Sequence, residues 1–155
     1  MGEVFFYHLT RRPLEAVLPD LLVRSIGRGW KVAVRGVDEK RMDWLDQKLW
    51  QGPEDGFLPH GLAGGAHDAR QPVLLTTGRE LPNAPDCLMS VDGAELSAEE
   101  VKTLDRTCVL FDGNDQLSLA TARGQWKALV DAGCAAKYWS EESGRWEMKA
   151  EAGGA

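Results

Sequence analysis

The sequence predicts an α/β fold with a mostly parallel central sheet and helices on both faces. Residues 4–9 are aromatic and β-branched, as in a strand, and residues 14–26 carry apolar side chains at helical spacings of three and four. The same order of strand and helix recurs over residues 30–35 and 38–50. Because such alternation places successive strands in one sheet through crossover connections, it favours parallel strands covered by helices.

The second half of the chain continues with short apolar runs and two helix signals. Ser97 with Glu100 three residues later is a capping-box pattern, and a long helix is predicted from Asp115 to Ala132. Further strands are predicted at residues 72–77, 87–91, 108–111 and 137–139.

Residues 61–71 form a Gly- and Ala-rich loop, which is long for a connection inside a compact domain. We expect a single domain over residues 1–149 and a frayed tail over residues 150–155.

Composition excludes several classes of protein. The net charge of −6 disfavours nonspecific binding to duplex DNA, which depends on cations that neutralise phosphates. The three cysteines lack the spacing of a disulfide framework or a zinc site. No run approaches the ~20 apolar residues of a membrane helix. The first residues lack a signal-peptide pattern, so we expect a cytoplasmic protein.

A search for catalytic patterns finds none that we would assign. There is no glycine-rich phosphate loop after the first strand and no G-x-S-x-G or H-E-x-x-H motif. His8 on the first strand is typical of a half-buried structural residue. We therefore predict no catalytic residues, no metal and no cofactor, and keep a nucleotide-dependent enzyme as the alternative function.

Two aromatic residues lie at the edges of irregular segments. Trp50 ends the second predicted helix beside a polar turn, and Phe57 follows in an extended, glycine-flanked segment. Aromatic residues in such positions often anchor a partner, but both could instead fold back on the sheet.

The long helix carries a distinctive face. Arg123 and Lys127 are four residues apart, and Trp126 lies on the same face. Two cations that flank an indole could bind an anionic peptide with an aromatic end. The alternative is a solvated charged face with a buried Trp126.

Several segments together resemble a known family. Leu-Trp at residues 49–50 and Phe-Leu-Pro-His-Gly-Leu-Ala-Gly at residues 57–64 resemble the L-W…F-[VL]-P-H-x-L-A-G segment of the chi subunits of bacterial DNA polymerase III. The first strand, Asp38-Glu39 and residues 122–128 are similar to that family in the same order. The resemblance covers nearly the whole chain.

The resemblance implies a Rossmann-like three-layer fold without nucleotide chemistry. It implies a non-catalytic accessory subunit of the polymerase holoenzyme that attaches the clamp loader, commonly through the psi subunit, to single-stranded DNA-binding protein. Members bind the acidic C-terminal tail of that protein, which ends in Pro-Phe. By residue match, Arg123 and Lys127 would hold the tail carboxylates, and Trp126 would form a wall for the terminal phenylalanine.

The resemblance also implies a second interface. At one position, the chain departs from the pattern of the family. Trp50, Phe57, Pro59 and His60 match the surface that contacts psi or a helicase-like repair protein. Leu119 stands where relatives can carry another basic residue, one turn before Arg123. We expect no strong direct binding of DNA.

Overall fold

The computed structural model describes residues 2–50, 60–65, 68–143 and 145–152. The helices are α1 (Leu14–Gly27), α2 (Glu39–Trp50), α3 (Ala98–Thr103) and α4 (Gln116–Asp131). The strands are β1 (Glu3–Leu9), β2 (Val32–Arg35), β3 (Gly61–Leu62), β4 (Val73–Thr76), β5 (Cys87–Val91), β6 (Arg106–Asp112), β7 (Ala135–Ser140) and β8 (Glu147–Ala152).

The strands form one sheet in the order β3-β4-β2-β5-β6-β1-β7-β8. Every neighbouring pair is parallel except β7 and β8, which are antiparallel. Strands β2, β4 and β5 are buried along their whole length, as continuous apolar runs in a parallel sheet should be. The predicted mostly parallel α/β fold is therefore confirmed.

Helices cover both faces of the sheet. On one face, α1 and α2 pack on a core that includes Leu18 and Met42. On the other face, α3 and α4 enclose a smaller core around Phe6, Val101 and Leu129. Among the helices in the described ranges, none is long and apolar enough to cross a membrane.

The predicted helix starts are confirmed at α3 and α4. The Ser97 hydroxyl accepts a hydrogen bond from the Glu100 N–H, and the Glu100 carboxylate accepts one from the Ser97 N–H, which completes a capping box. The Asp115 carboxylate accepts the Ser118 N–H at 3.0 Å and caps α4.

The end of the chain differs from the prediction. Residues 150–152, expected in a frayed tail, belong to β8 and pair with β7. That prediction was wrong because the pairing supplies backbone hydrogen bonds that the composition of the segment does not reveal. The loop over residues 61–71 also contains the short strand β3 and a 3₁₀ turn at Asp68–Arg70.

A buried arginine holds the carboxyl end of β2. Arg35 is 4% exposed and binds the Glu100 carboxylate at 3.0 and 2.7 Å. It also donates to the carbonyls of Gly78, Arg79 and Glu95 at 3.0, 3.0 and 3.1 Å. One side chain thereby joins the end of β2 to the chain after β4 and to α3.

The Arg35 contact makes part of the stability depend on pH. Burial tends to raise the pKa of Glu100, but the hydrogen bonds from Arg35 and Ser97 prevail, so this pKa lies below its ordinary value. The pair therefore stabilises the fold above the unfolded-state pKa of Glu100. Its contribution is lost as the pH falls through the lower folded-state value.

Replacing Arg35 with methionine should destabilise the protein by about 2–4 kcal/mol, because it removes the ion pair of Glu100 and leaves three carbonyls without this donor. The matched control is Arg79→Met, since the Arg79 ion pair with Glu95 is 89% and 87% exposed and should contribute less than about 0.5 kcal/mol. Urea unfolding measures both variants. Equal losses in the two would contradict the assigned role of Arg35.

Candidate functional site

A groove of about 370 Å³ lies between α4 and the β7–β8 edge of the sheet. Six of its lining residues are apolar or aromatic and two are cationic, and they come from β6, α4, β7 and β8. The lining residues are Phe111, Leu119, Ala122, Arg123, Trp126, Tyr138, Lys149 and Ala150. Its volume falls within the range of small-molecule binding pockets.

Trp126 is partly buried and belongs to both the core and the groove. Its ring meets Phe6 edge-on at 5.3 Å and Tyr138 edge-on at 6.0 Å between centroids. The two interpretations of this residue in the sequence, core packing and ligand contact, are therefore compatible. One part of the indole packs on the sheet, and another part lines the groove.

The two predicted cations occupy different positions. Arg123 lines the groove, whereas Lys127 lies exposed one turn further along α4 and outside the lining. Within the described residues, neither side chain forms an ion pair with a carboxylate. Helix α4 has no acidic residue between Asp115 and Asp131, so both heads stay available to an anion.

Residues from the sheet complete the groove, and the sequence patterns did not predict them as site residues. Tyr138 is hydrogen-bonded through its hydroxyl to His8 Nδ1 at 2.9 Å, and the His8 ring stacks on Phe111 at 5.2 Å. Burial raises the pKa of Tyr138, while the nearby charge of Arg123 lowers it and that of Glu142 raises it. Only the register of β1 with β6 and β7 brings these side chains together, and no local pattern shows it.

The sequence model of the family described as "DNA polymerase III chi subunit, HolC" matches residues 1–137 of this chain. The chain therefore belongs to the DNA polymerase III chi subunit family. A similar protein is the probable DNA polymerase III subunit chi of Rickettsia prowazekii (strain Madrid E). It is 20% identical over 117 residues, which cover 72% of this chain and 71% of the relative.

The second surface predicted for this chi-family chain is only partly described. Phe57 and Pro59 lie outside the described residues, and Trp50 ends α2 without a described side chain. The His60 side chain is fully buried, and its Nε2 lies 3.2 Å from Asp46 on α2. The buried imidazole contacts α2, and the interface role of His60 stays a prediction.

A larger crevice of about 590 Å³ in the chi-family chain lies where the carboxyl ends of β1, β5 and β6 meet. Ligands of open α/β sheets often bind at such a place, because the connections after β1 and β6 leave on opposite faces. Here Arg41 Nε already lies 3.0 Å from the Asp92 carboxylate, and Asp115 occupies the start of α4. These carboxylates would compete with a phosphate, and a nucleotide-dependent enzyme stays the alternative prediction.

Gly113 lies close to His8, and His8 holds the groove residue Tyr138 in place. A Cβ atom at this position would collide with His8 Cδ2 and Nε2. The Gly113 N–H donates to the Leu9 carbonyl at 2.7 Å, so the backbone cannot easily retreat. His8 in turn holds Tyr138, and the groove therefore depends on this glycine.

Two glycine substitutions should act in opposite directions. Gly113→Ala should lower the free energy of unfolding by about 1–3 kcal/mol, because it overpacks the site of His8. Gly124→Ala on α4 is the control, since a Cβ there meets nothing within 4 Å. The Gly124→Ala substitution should raise the free energy of unfolding by about 0.5–1 kcal/mol, because alanine favours the helix more than glycine does. Urea unfolding tests the signs, and a Gly113→Ala protein as stable as wild type would disprove the contact.

Proposed function

We propose that this chi-family chain links the clamp loader of DNA polymerase III to single-stranded DNA-binding protein. As a member of the family it is an accessory replication subunit. In the proposal, the acidic C-terminal tail of single-stranded DNA-binding protein binds the groove between α4 and the β7–β8 edge. The observation that carries the proposal is a cationic rim on an aromatic groove, with Arg123 and Lys127 unpaired among the described residues.

The groove suits the chemistry of such a tail. An apolar ring at the chain end can pack against the exposed part of Trp126 and against Leu119. Arg123 can bind a carboxylate in a bidentate manner, while Lys127 lies one turn away and can attract a neighbouring acidic residue. A ligand that lacks the ring would lose the packing contribution, and a ligand that lacks the negative charge would lose the electrostatic contribution.

Substitution of the two cations should weaken binding of a fluorescent peptide that ends in acidic residues and Pro-Phe. Arg123→Ala and Lys127→Ala should each cost about 1–3 kcal/mol, which is the range for a charge-assisted hydrogen bond. The larger loss is expected at Arg123, because this residue lines the groove. Fluorescence anisotropy measures the affinity, which should also fall with added salt.

The control for this experiment is Arg79→Ala, which removes the same charge from a fully solvated site. A second control is a peptide that lacks the terminal phenylalanine. Equal affinity of wild type and the Arg123→Ala, Lys127→Ala double variant would refute tail binding at this groove.

The second proposed interface is the segment around Trp50, Phe57, Pro59 and His60. Its support is the family resemblance of residues 49–50 and 57–64, and its partner is psi or a helicase-like repair protein. The described residues that follow this segment, Gly61 and Leu62 of β3, lie at the opposite edge of the sheet from the groove, because β3 and β8 are the two edge strands. One chain could therefore bind both partners at the same time.

The double variant Trp50→Ala, Phe57→Ala should lose stable association with purified psi or with the helicase-like protein, while its tail affinity stays within twofold of wild type. Size-exclusion chromatography of the mixed proteins measures the association. Leu117→Ala is the control, because this leucine on α4 is 79% exposed and lies away from β3. Equal association of both variants would contradict the proposed interface.

A further inference from the structure

Strand β8 forms one side of the groove and lies beyond the segment that matches the family. The match ends at residue 137, whereas β8 runs from Glu147 to Ala152. Two of its residues, Lys149 and Ala150, line the groove. The family match therefore does not cover this wall of the groove.

A β-bulge explains why two consecutive residues face the same groove. The pairing runs from Trp139 opposite Met148 to Tyr138 opposite Ala150, so Lys149 is the extra residue on β8. In a regular strand, neighbouring side chains point to opposite faces of the sheet. The bulge interrupts this alternation and brings Ala150 to the side on which Lys149 lies. Lys149 itself shares this side with Glu147, whose partner Ser140 is two residues from Tyr138.

Lys149 brings a cation to a groove that receives only one from α4. Leu119, one turn before Arg123, adds apolar surface and no charge. Arg123 reaches the groove from the helix, and Lys149 reaches it from the edge of the sheet. Two cations on separate elements can contact carboxylates on different sides of a bound chain end.

The present partner of Lys149 can release it at little cost. Lys149 Nζ lies 3.3 Å from Glu147 Oε2, and the lysine side chain is 46% exposed. Exposed ion pairs of this kind contribute little stability. Glu147 Oε1 would keep the Ser143 hydroxyl as a donor at 2.5 Å and Arg145 at 3.7 Å. An incoming carboxylate can therefore take the lysine without leaving Glu147 unpartnered.

We infer that Lys149 is the second cation of the groove and binds a carboxylate of the acidic chain end together with Arg123. This inference rests on the proposed function and deepens it. The bulged strand β8 is then part of the binding site, and it supplies the positive charge that Leu119 does not.

The test uses the full chain and the fluorescent acidic peptide that ends in Pro-Phe. Lys149→Met keeps the aliphatic stem and removes the charge, and it should raise the Kd about five- to tenfold at low salt. The matched control is Arg145→Met, which removes a charge beside the same Glu147 but from outside the groove, and it should change the Kd less than twofold.

A rescue variant separates charge from structure. Leu119→Lys in the Lys149→Met background should restore most of the affinity, because it returns a cation to the same groove from α4. Thermal unfolding of each variant should stay close to wild type, which shows that β8 remains paired.

The outcomes distinguish the two proposals. If Lys149→Met binds like wild type while Arg123→Ala binds weakly, the inference about Lys149 is wrong and tail binding stands. If Lys149→Met and Arg145→Met weaken binding equally, the loss comes from the reduced positive charge of the region and not from a contact of Lys149. The inference is then also wrong. If the wild-type chain does not bind the peptide, the proposed function fails, and the role of Lys149 fails with it.

Discussion

The packing of the Trp126 indole between α4 and the sheet is the contact on which the candidate site depends. Phe6 beneath it is fully buried, and Tyr138 beside it is only partly buried. The indole therefore rests on the core with one edge and leaves another edge open. This position sets how far α4 stands from the β7–β8 edge. Core stability and groove shape are coupled through one side chain, because an interior packed at this density does not deform continuously.

Local charge matters more here than the net charge of −6. Arg123 and Lys127 lie on a helix that has no acidic residue from Gln116 to Val130, whereas Lys149 lies on β8 beside Glu147. At physiological salt, exposed charges further apart than about 8 Å are largely screened from each other. An acidic chain end at the groove would therefore interact chiefly with Arg123, Lys127 and Lys149. A net acidic protein can still attract an acidic ligand at such a place.

The fold could be predicted from the sequence to the extent that its signals are local. Buried strands such as β4 and β5 are short apolar runs, and Ser97 and Asp115 are residue types that cap helices. On α4, the spacing of Arg123 and Trp126 was enough to place both on one face. Strand β8 could not be found in this way. Its sequence, Glu-Met-Lys-Ala-Glu-Ala, consists of residues that favour helices, and its conformation depends on pairing with β7.

The sheet side of the groove was beyond prediction for a related reason. Phe111 and Tyr138 are distant in sequence and meet through His8 on β1, whose partners are set by strand register. A pattern within one segment carries no information about which residue of another strand lies beside it. Such residues become visible only when the register is known.

The bulge in strand β8 affects both the protection of the sheet edge and the shape of the groove. As an edge strand it exposes unpaired backbone groups, and edge strands avoid joining other sheets through bulges and charged side chains. The bulge at Lys149 breaks the regular ladder in this manner. The same bulge brings Ala150 to the side of the groove on which Lys149 lies. Recognition of a charged chain end requires a cation within reach and does not require it on a particular element. An irregularity that protects the edge can therefore also complete one wall of the groove, while Lys149 on the same strand supplies the charge that α4 lacks at Leu119.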